Sequence, residues 1–332
     1  MFKIPFFKTK ENKTNEDSLL PVHKRLNIKF SYGKGAYLFA NEDRYLDFGA
    51  GIAVNALGHC HPDLVKAINK QSRNLWHISN LYRSNELEDC AKKLTSLYDK
   101  DYTFFCNSGA ESIECAIKII RKHFSAKGNS RRNRIITFKG AFHGRTIATI
   151  SAAGKEKYYK GFGPLLDGFD NVEYGNIEAI KKAITKNTAG VLIEPIQGEQ
   201  GIIVPTKKFI KDLRRLTKEK GILLAFDEVQ CGLGRTGHVG AYKYFGVKPD
   251  IVCLAKAIGG GFPLGACLSS KYAAKGMEFG THGTTYGGNP LAMSVCNVIM
   301  DKLSNQSFLD NVNSTSKMLN EGLRTIKAKF PD

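Results

Sequence analysis

Two ionisable residues follow strongly apolar segments, where a charge is costly unless the fold uses it. Asp227 follows ILLAF (222–226), and Lys256 ends the stretch DIVCLAK, after 250–255. A buried carboxylate needs a partner, which can be an internal arginine or lysine or the protonated ring nitrogen of a cofactor. Burial lowers the pKa of a lysine amine and makes it a nucleophile suited to Schiff-base formation. A lysine that simply extends its amine to solvent explains Lys256 equally well when it is considered alone.

A third segment, FCNSGAE (105–111), leads from an apolar run through small residues into a helical pattern. The free N–H groups at the start of such a helix form a site suited to a phosphate. A plain turn capped by Ser108 accounts for the same segment equally well. An anion site, a strand-end carboxylate and a strand-end lysine are together what pyridoxal 5′-phosphate requires, so the three segments predict that cofactor.

Two other motifs resemble a dinucleotide site and a metal site, but their sequence context does not support either prediction. The segment GLGRTG (232–237) matches G-x-G-x-x-G, but 227–231 separate it from the preceding apolar run and no long helical pattern follows. A nicotinamide site is therefore not predicted, because that site needs the turn directly between strand and helix. His59, Cys60 and His61 have no further ligand at a useful spacing, so no metal site is predicted.

The elements that must position these residues follow from the hydrophobic pattern. Apolar runs cover 102–106, 134–138, 190–195, 222–226, 250–255 and 264–269, and helical stretches between them cover 110–127, 176–185 and 206–220. This alternation predicts an α/β fold with a mostly parallel central sheet and helices on both faces. Ligands bind at the carboxyl ends of such strands, which is where all three candidate segments lie.

The flanking regions complete the expected organisation. Residues 37–48 predict a β-hairpin that turns at 41–44, and further helices are predicted over 62–76, 85–98, from Pro290 to about 305, and over 307–329. We expect three parts: an N-terminal arm with small-domain strands (1–60), a large cofactor-binding domain (61–290), and a linking helix with the start of an incomplete small C-terminal domain (291–332).

Composition excludes several classes of protein. Lysine and arginine outnumber aspartate and glutamate by 49 to 31 in 332 residues, a net charge of +18. The basic residues are scattered, and the densest group, at 131–134, lacks interleaved aromatic residues, so no nucleic-acid partner is predicted. No run approaches the roughly 18 apolar residues that span a bilayer. The eight cysteines form no C-x-x-C pair and indicate reduced, mostly buried thiols in a cytoplasmic protein without a secretory signal.

Longer segments carry a resemblance to a known family. In chain order they are YLDFGAGIAVNALGHCHP, WHISNLYR, FFCNSGAESIECAIK, GAFHGRT, LIEPIQGEQG, DEVQCGLGRTG, LAKAIGGGFPLGA and GTHGTTYGGNPLA. From about residue 25 to residue 332, the chain resembles the class III, fold-type I pyridoxal-phosphate aminotransferases, and within them the bacterial acetylornithine subgroup.

The resemblance implies roles at the cofactor. Lys256 would form the Schiff base and then move a proton between the substrate and the cofactor, and Asp227 would pair with the pyridine nitrogen. The other residues assigned to the cofactor are Phe142 and Val229 against the ring faces, Gln230 at the phenolic oxygen, the N–H groups of Gly109 and Ala110 at the phosphate, and Thr285, which would reach that phosphate from the other subunit of a homodimer.

The resemblance also implies a substrate site. Arg145 would clamp the α-carboxylate of the substrate through two parallel hydrogen bonds, which a lysine cannot copy. Thr284 would lie near the substrate of the neighbouring site, and Glu199 would gate Arg145 by pairing with an arginine near the end of longer family chains. This sequence stops at Asp332, before that arginine. We therefore expect an incomplete chain whose last helix leaves an apolar stripe uncovered.

The implied reaction transfers the terminal amino group of N-acetylornithine to 2-oxoglutarate in arginine biosynthesis. The same chemistry on N-succinyl-diaminopimelate, ornithine or 4-aminobutyrate is the close alternative. A basic binding protein without enzymatic activity is an alternative of another class, which the presence of Lys256, Asp227 and Arg145 disfavours.

Overall fold

The structure, a computed structural model, describes residues 18–331. The predicted N-terminal arm falls largely on residues 1–17, which lie outside the described residues. Ahead of the main body, a small antiparallel sheet contains β1 (Tyr32–Lys34), β2 (Tyr37–Ala40) and β3 (Asp43–Leu46). The predicted hairpin is β2–β3, and β1 adds a third strand that the sequence pattern did not predict.

Seven strands form the central sheet. They are β4 (Tyr102–Cys106), β5 (Arg134–Phe138), β6 (Phe169–Val172), β7 (Thr188–Ile193), β8 (Leu223–Asp227), β9 (Ile251–Leu254) and β10 (Gly265–Ser269). Their order is β4-β10-β9-β8-β7-β5-β6, and only β10 runs antiparallel to its neighbours. The prediction of a mostly parallel α/β sheet is therefore confirmed, and β4, β5, β7, β8 and β9 all end at one edge.

Helices connect and cover the strands. They are α1 (Ala50–Ala53), α2 (Pro62–Gln71), α3 (Asn85–Tyr98), α4 (Gly109–Ser125), α5 (Ile147–Ala153), α6 (Glu156–Tyr159), α7 (Ile177–Ala183), α8 (Lys207–Glu219), α9 (Ala241–Phe245), α10 (Pro290–Ser304) and α11 (Gln306–Lys329), with a 3₁₀ turn over Lys256–Gly259. Every helix predicted from the pattern is present, and the short α1, α5, α6 and α9 are additional. None of the described helices has the length and apolar character needed to cross a membrane.

The core has two layers because successive strand residues point to opposite faces. In β8, Leu224 and Phe226 face the cluster that includes residues of α3, α8 and α10. Leu223 and Ala225 of the same strand face the cluster that includes α4. A strand covered on both faces needs apolar residues at every position, which explains the unbroken apolar runs of the sequence.

The structure differs from the sequence prediction in which cysteines are free thiols. Cys90 of α3 and Cys296 of α10 form a disulfide, with Cα atoms 6.5 Å apart, whereas all eight cysteines were expected to be reduced. Packing of α3 against α10 brings together two thiols that are 206 residues apart in the chain, a contact that no local spacing reveals. Cys60 is free but exposed, and the remaining five cysteines are free and buried.

The last helix, α11, buries only Leu309 among its residues. Met318, Leu319, Leu323 and Ile326 are each at least half exposed. The apolar stripe that the sequence predicted is therefore uncovered over the C-terminal part of α11 in this chain. The predicted division into three parts remains a prediction.

Candidate active site

A cavity of about 880 Å³ opens at the carboxyl edge of the central sheet. Residues that follow β4, β5, β7, β8 and β9 line it, together with the segment 51–54 and residues 22–23 nearer the N-terminus. The parallel arrangement brings these strand ends to one edge although they are far apart in sequence. The candidate residues Gly109, Ala110, Asp227 and Lys256 all lie in this one cavity.

Asp227 is the last residue of β8, and its side chain is only 4% exposed. Its Oδ2 atom lies 2.8 Å from His143 Nδ1, and its Oδ1 atom accepts a hydrogen bond of 3.0 Å from Val229 N. Burial by itself disfavours a charged imidazole, but the hydrogen bond and the charge of Asp227 outweigh burial and raise the pKa of His143. The Asp227 carboxylate is thus held in a fixed orientation by two donors.

A second buried carboxylate, Glu194, follows β7 and lines the same cavity. Its Oε2 atom accepts a hydrogen bond of 3.0 Å from Phe142 N. Burial, together with the charge of Asp227, raises the pKa of Glu194 to about 7. Glu194 therefore anchors the backbone of the loop that carries Phe142.

Lys256 begins the 3₁₀ turn after β9 and has a φ of 52°. This left-handed conformation is costly for a residue with a side chain, and such strain is concentrated at functional sites. Burial lowers the pKa of the Lys256 amine, although the charges of Asp227 and Glu194 act in the opposite direction. A lowered pKa increases the fraction of neutral, nucleophilic amine at physiological pH.

The predicted anion turn lies at the start of α4. The Ser108 side chain accepts a hydrogen bond from Glu111 N, so Ser108 is the N-cap, and the N–H groups of Gly109 and Ala110 lie in the first turn without intrahelical acceptors. A Cβ atom at Gly109 would lie 2.8 Å from Val229 Cγ1, so a side chain at this position would displace Val229. The turn therefore presents free backbone donors at the cavity wall, as a phosphate group requires.

These observations fit pyridoxal 5′-phosphate. The donor set comprises free N–H groups for a phosphate, a fixed buried carboxylate for a pyridinium nitrogen, and an amine of lowered pKa for a Schiff base. Phe142, Val229 and Gln230 also line the cavity, and their predicted roles at the cofactor ring remain predictions. No group of histidine, cysteine, aspartate and glutamate side chains within residues 18–331 is arranged to hold a metal ion.

The predicted substrate residues are only partly assembled here. Arg145 and Glu199 both line the cavity and are exposed. Neither Thr284 nor Thr285 is among the described residues that line it in this chain. Thr284 Oγ1 instead accepts a hydrogen bond from Gly287 N within its own loop. The predicted contributions of both threonines to a neighbouring subunit's site remain predictions.

Sequence reasoning gave no role to three residues of this cavity: His143, Glu194 and Tyr158. His143 stands in the predicted GAFHGRT segment, and Glu194 follows an apolar run just as Asp227 does. The argument from a buried strand end could therefore have found Glu194. Tyr158 belongs to the four-residue helix α6, which is too short to give a periodic signal.

The mouth of the cavity includes an unusual backbone segment. Ala50, Gly51, Ile52 and Ala53 have φ values of 45°, 64°, 65° and 62°, so α1 is a left-handed turn, which costs roughly 1–2 kcal/mol for each residue with a side chain. Asp47 Oδ1 accepts a hydrogen bond of 2.9 Å from Ala50 N at its start. The strain lies where the cavity opens, consistent with a functional rather than a merely connecting segment.

Comparison with known proteins agrees with this geometry. The profile of the family described as Aminotransferase class-III matches residues 21–331. Acetylornithine aminotransferase 1 of Bradyrhizobium diazoefficiens is 54% identical over 315 residues, which cover 95% of this chain and 78% of that protein.

Two solved structures share the fold. The ornithine aminotransferase of Toxoplasma gondii superposes with a TM-score of 0.89 at 31% identity, over 93% of this chain and 74% of that chain. An amine transaminase from an uncultivated Pseudomonas species, solved in its pyridoxal-phosphate-bound form, gives a TM-score of 0.86 at 27% identity, over 97% of this chain and 81% of that chain. With a family match over nearly its whole length, the chain belongs to the class-III aminotransferases, and its cofactor is pyridoxal 5′-phosphate.

Proposed function

We propose that this aminotransferase transfers the terminal amino group of N-acetylornithine to 2-oxoglutarate. The observation that carries the proposal is the meeting of Lys256, Asp227 and Arg145 in one cavity of a chain that is 54% identical to an acetylornithine aminotransferase. The apolar residues Val22, Ile52 and Val54, which line the cavity, suit an uncharged acyl group better than a free ammonium. We further propose that the enzyme is cytoplasmic and acts as a homodimer, in which Thr284 and Thr285 complete the neighbouring site.

In the proposed reaction, residues of this chain bind the cofactor, orient it and move the proton. When bound, pyridoxal 5′-phosphate supplies a ring that accepts the electron pair left on the substrate carbon after deprotonation. The N–H groups of Gly109 and Ala110 hold the phosphate, and Asp227 keeps the ring nitrogen protonated. Phe142 and Val229 confine the ring, and Gln230 donates to its phenolic oxygen. Lys256 Nζ would remove the proton from the amine-bearing carbon of the donor and deliver it to the C4′ atom of the cofactor.

Substrate carboxylates need a cationic group other than Lys256, because the proposal assigns the Lys256 amine to the cofactor. Arg145 fills this role in the proposal, since its planar guanidinium forms two parallel hydrogen bonds with a carboxylate. Glu199 lines the same cavity, and the proposal gives it the role of regulating Arg145 that the family resemblance implies.

The test is an amino-donor panel with 2-oxoglutarate as the acceptor. N-acetylornithine should give the highest kcat/KM among N-acetylornithine, ornithine, N-succinyl-diaminopimelate and 4-aminobutyrate. Lys256→Ala is the matched inactive control on the same scaffold. A clear preference for any of the other three donors would replace the proposed substrate, and absence of transfer with all four would overturn the proposed reaction.

A further inference from the structure

The guanidinium of Arg145 lies over the ring of Tyr158. Its Cζ atom is 4.3 Å from the centroid of that ring and 5.6 Å from the centroid of Phe142. A cation this close to an aromatic face is attracted by the negative potential of the ring. Tyr158 lines the cavity but is itself only 3% exposed, so a buried ring lies beneath the exposed guanidinium.

Arg145 has no other fixed support in the structure. Within residues 18–331, its side chain forms no hydrogen bond or ion pair that meets ordinary distance limits, which leaves the aromatic contact as what holds it. The guanidinium, whose Cζ atom lies over the ring, makes this contact without spending its N–H donors on a hydrogen bond, so they stay free for a ligand. A carboxylate partner in the same position would instead occupy the donors that a substrate needs.

The ring of Tyr158 is held firmly enough to act as a platform. It packs edge to face against Phe142, with centroids 5.7 Å apart and an interplanar angle of 83°, in a small cluster with Ile150 and Ala153. The Tyr158 hydroxyl oxygen is buried and has no hydrogen-bond partner among the described residues. The hydroxyl is thus not what fixes the ring, and the aromatic face is the part of Tyr158 that contacts the site.

Two lysines also approach this ring, but less closely. Lys155 Nζ lies 5.3 Å and Lys157 Nζ 5.1 Å from the centroid, compared with 4.3 Å for Arg145. Lys155 Nζ also donates a hydrogen bond to Gln200 Oε1. All three groups are cations, so the lysines cannot pair with Arg145. They raise the positive potential where a substrate carboxylate arrives.

We propose that Tyr158 is a positioning residue for substrate binding: its ring face holds the Arg145 guanidinium with its donors directed to the substrate carboxylate. The inference rests on the proposed role of Arg145. It accounts for the geometry of this site, a buried ring beneath an exposed cation, without requiring any contact between Tyr158 and the substrate.

The experiment measures binding without turnover. Glutarate is a dicarboxylate that lacks the reactive keto group of 2-oxoglutarate. It is titrated into the cofactor-loaded enzyme, and calorimetry measures its binding. Tyr158→Leu should weaken glutarate binding by about three- to thirtyfold, the range expected for a cation–π contact. Tyr158→Phe keeps the ring face and should bind glutarate within about twofold of the parent. In transamination, Tyr158→Leu should raise KM for both substrates with little change in kcat.

Tyr159→Leu is the matched control, because Tyr159 is the neighbouring residue of α6 and lines no part of the cavity that the structure describes. If Tyr159→Leu weakens glutarate binding as much as Tyr158→Leu, or if Tyr158→Leu has no effect, the inference is overturned. Tyr158→Met replaces Tyr158→Leu if the latter does not fold, with the same expected loss. If Arg145→Lys leaves glutarate affinity unchanged, the assignment of Arg145 in the proposed function fails instead.

Discussion

His143 Nδ1 lies 2.8 Å from Asp227 Oδ2, and the side chains are 0% and 4% exposed. The histidine supplies a donor on the side of the carboxylate that faces the protein, so the rest of the carboxylate remains available to the cofactor. Within the described chain, His143 Nε2 is buried without a hydrogen-bond partner. His143 therefore gives the Asp227 carboxylate a polar partner that an apolar strand end would otherwise lack.

Asp227→Asn should reduce turnover far more than it reduces stability. The amide has no charge with which to keep the ring nitrogen protonated, whereas His143 can release its proton and so avoid being left as a buried, unpaired cation. A charge-assisted hydrogen bond contributes about 1.5–3 kcal/mol, so its loss in the reacting state corresponds to roughly a tenfold to 150-fold loss in kcat. Steady-state rates and thermal denaturation of the same preparations measure the two effects. Turnover close to that of the parent would show that Asp227 does not control the ring nitrogen.

Lys256→Ala should leave a folded protein that binds the cofactor only noncovalently. The physical reason is that a strand-end amine of lowered pKa is the nucleophile available in the cavity. Borohydride reduction of the parent enzyme, followed by peptide mapping, should place the pyridoxyl group on Lys256. Lys155→Ala, which changes a lysine near the cavity, is the control. This variant should carry the pyridoxyl group on Lys256, as the parent enzyme does. Labelling at another lysine would refute the assignment.

Arg145→Lys should raise KM for the amino donor and for 2-oxoglutarate alike. A lysine keeps the charge but not the two parallel hydrogen bonds, and charge-assisted bonds contribute about 1.5–3 kcal/mol. The expected loss in kcat/KM is therefore roughly tenfold to several hundredfold. Initial rates with each substrate varied in turn provide the measurement. A defect confined to one substrate would mean that Arg145 recognises a feature that the two do not share.

Glu228 should make stability depend on pH. Its carboxylate is fully buried and accepts hydrogen bonds from Ala241 N and Tyr242 N, and burial raises its pKa from 4.5 to about 7. The folded state binds this proton more tightly than the unfolded state does, so protonation of Glu228 contributes to the free energy of unfolding. This contribution is fully present below about pH 4.5 and is lost as the pH rises towards 7. Glutamine does not titrate, so the Glu228→Gln variant should not lose stability in this way. The stability of the variant relative to the parent should therefore rise between about pH 4.5 and pH 7.

Urea unfolding at several pH values measures the effect as the difference in midpoint between Glu228→Gln and the parent. Glu321→Gln changes an exposed glutamate of α11 and should show no such trend. A difference between Glu228→Gln and the parent that stays constant across this range of pH would contradict the assignment, because the shifted proton equilibrium would then lie elsewhere.

Much of the framework was predictable from local pattern. Strands buried on both faces give unbroken apolar runs, so β4, β5, β8 and β10 were placed within a residue of their observed bounds. β6 was not predicted, because its residues FDNV mix polar and apolar side chains at a half-buried edge. The pairing of Cys90 with Cys296 was also missed, since it depends on how α3 and α10 pack.

By itself, the sequence determined that a carboxylate, a lysine and an anion turn follow buried strands, because apolar runs mark those strands and parallel strands end at one edge. Only the tertiary structure decided which further side chains turn into the cavity. His143 reaches Asp227 across 84 residues, and Tyr158 lies beneath Arg145 from a helix of four residues. Such contacts depend on loop paths and side-chain orientation, which hydrophobic periodicity does not encode.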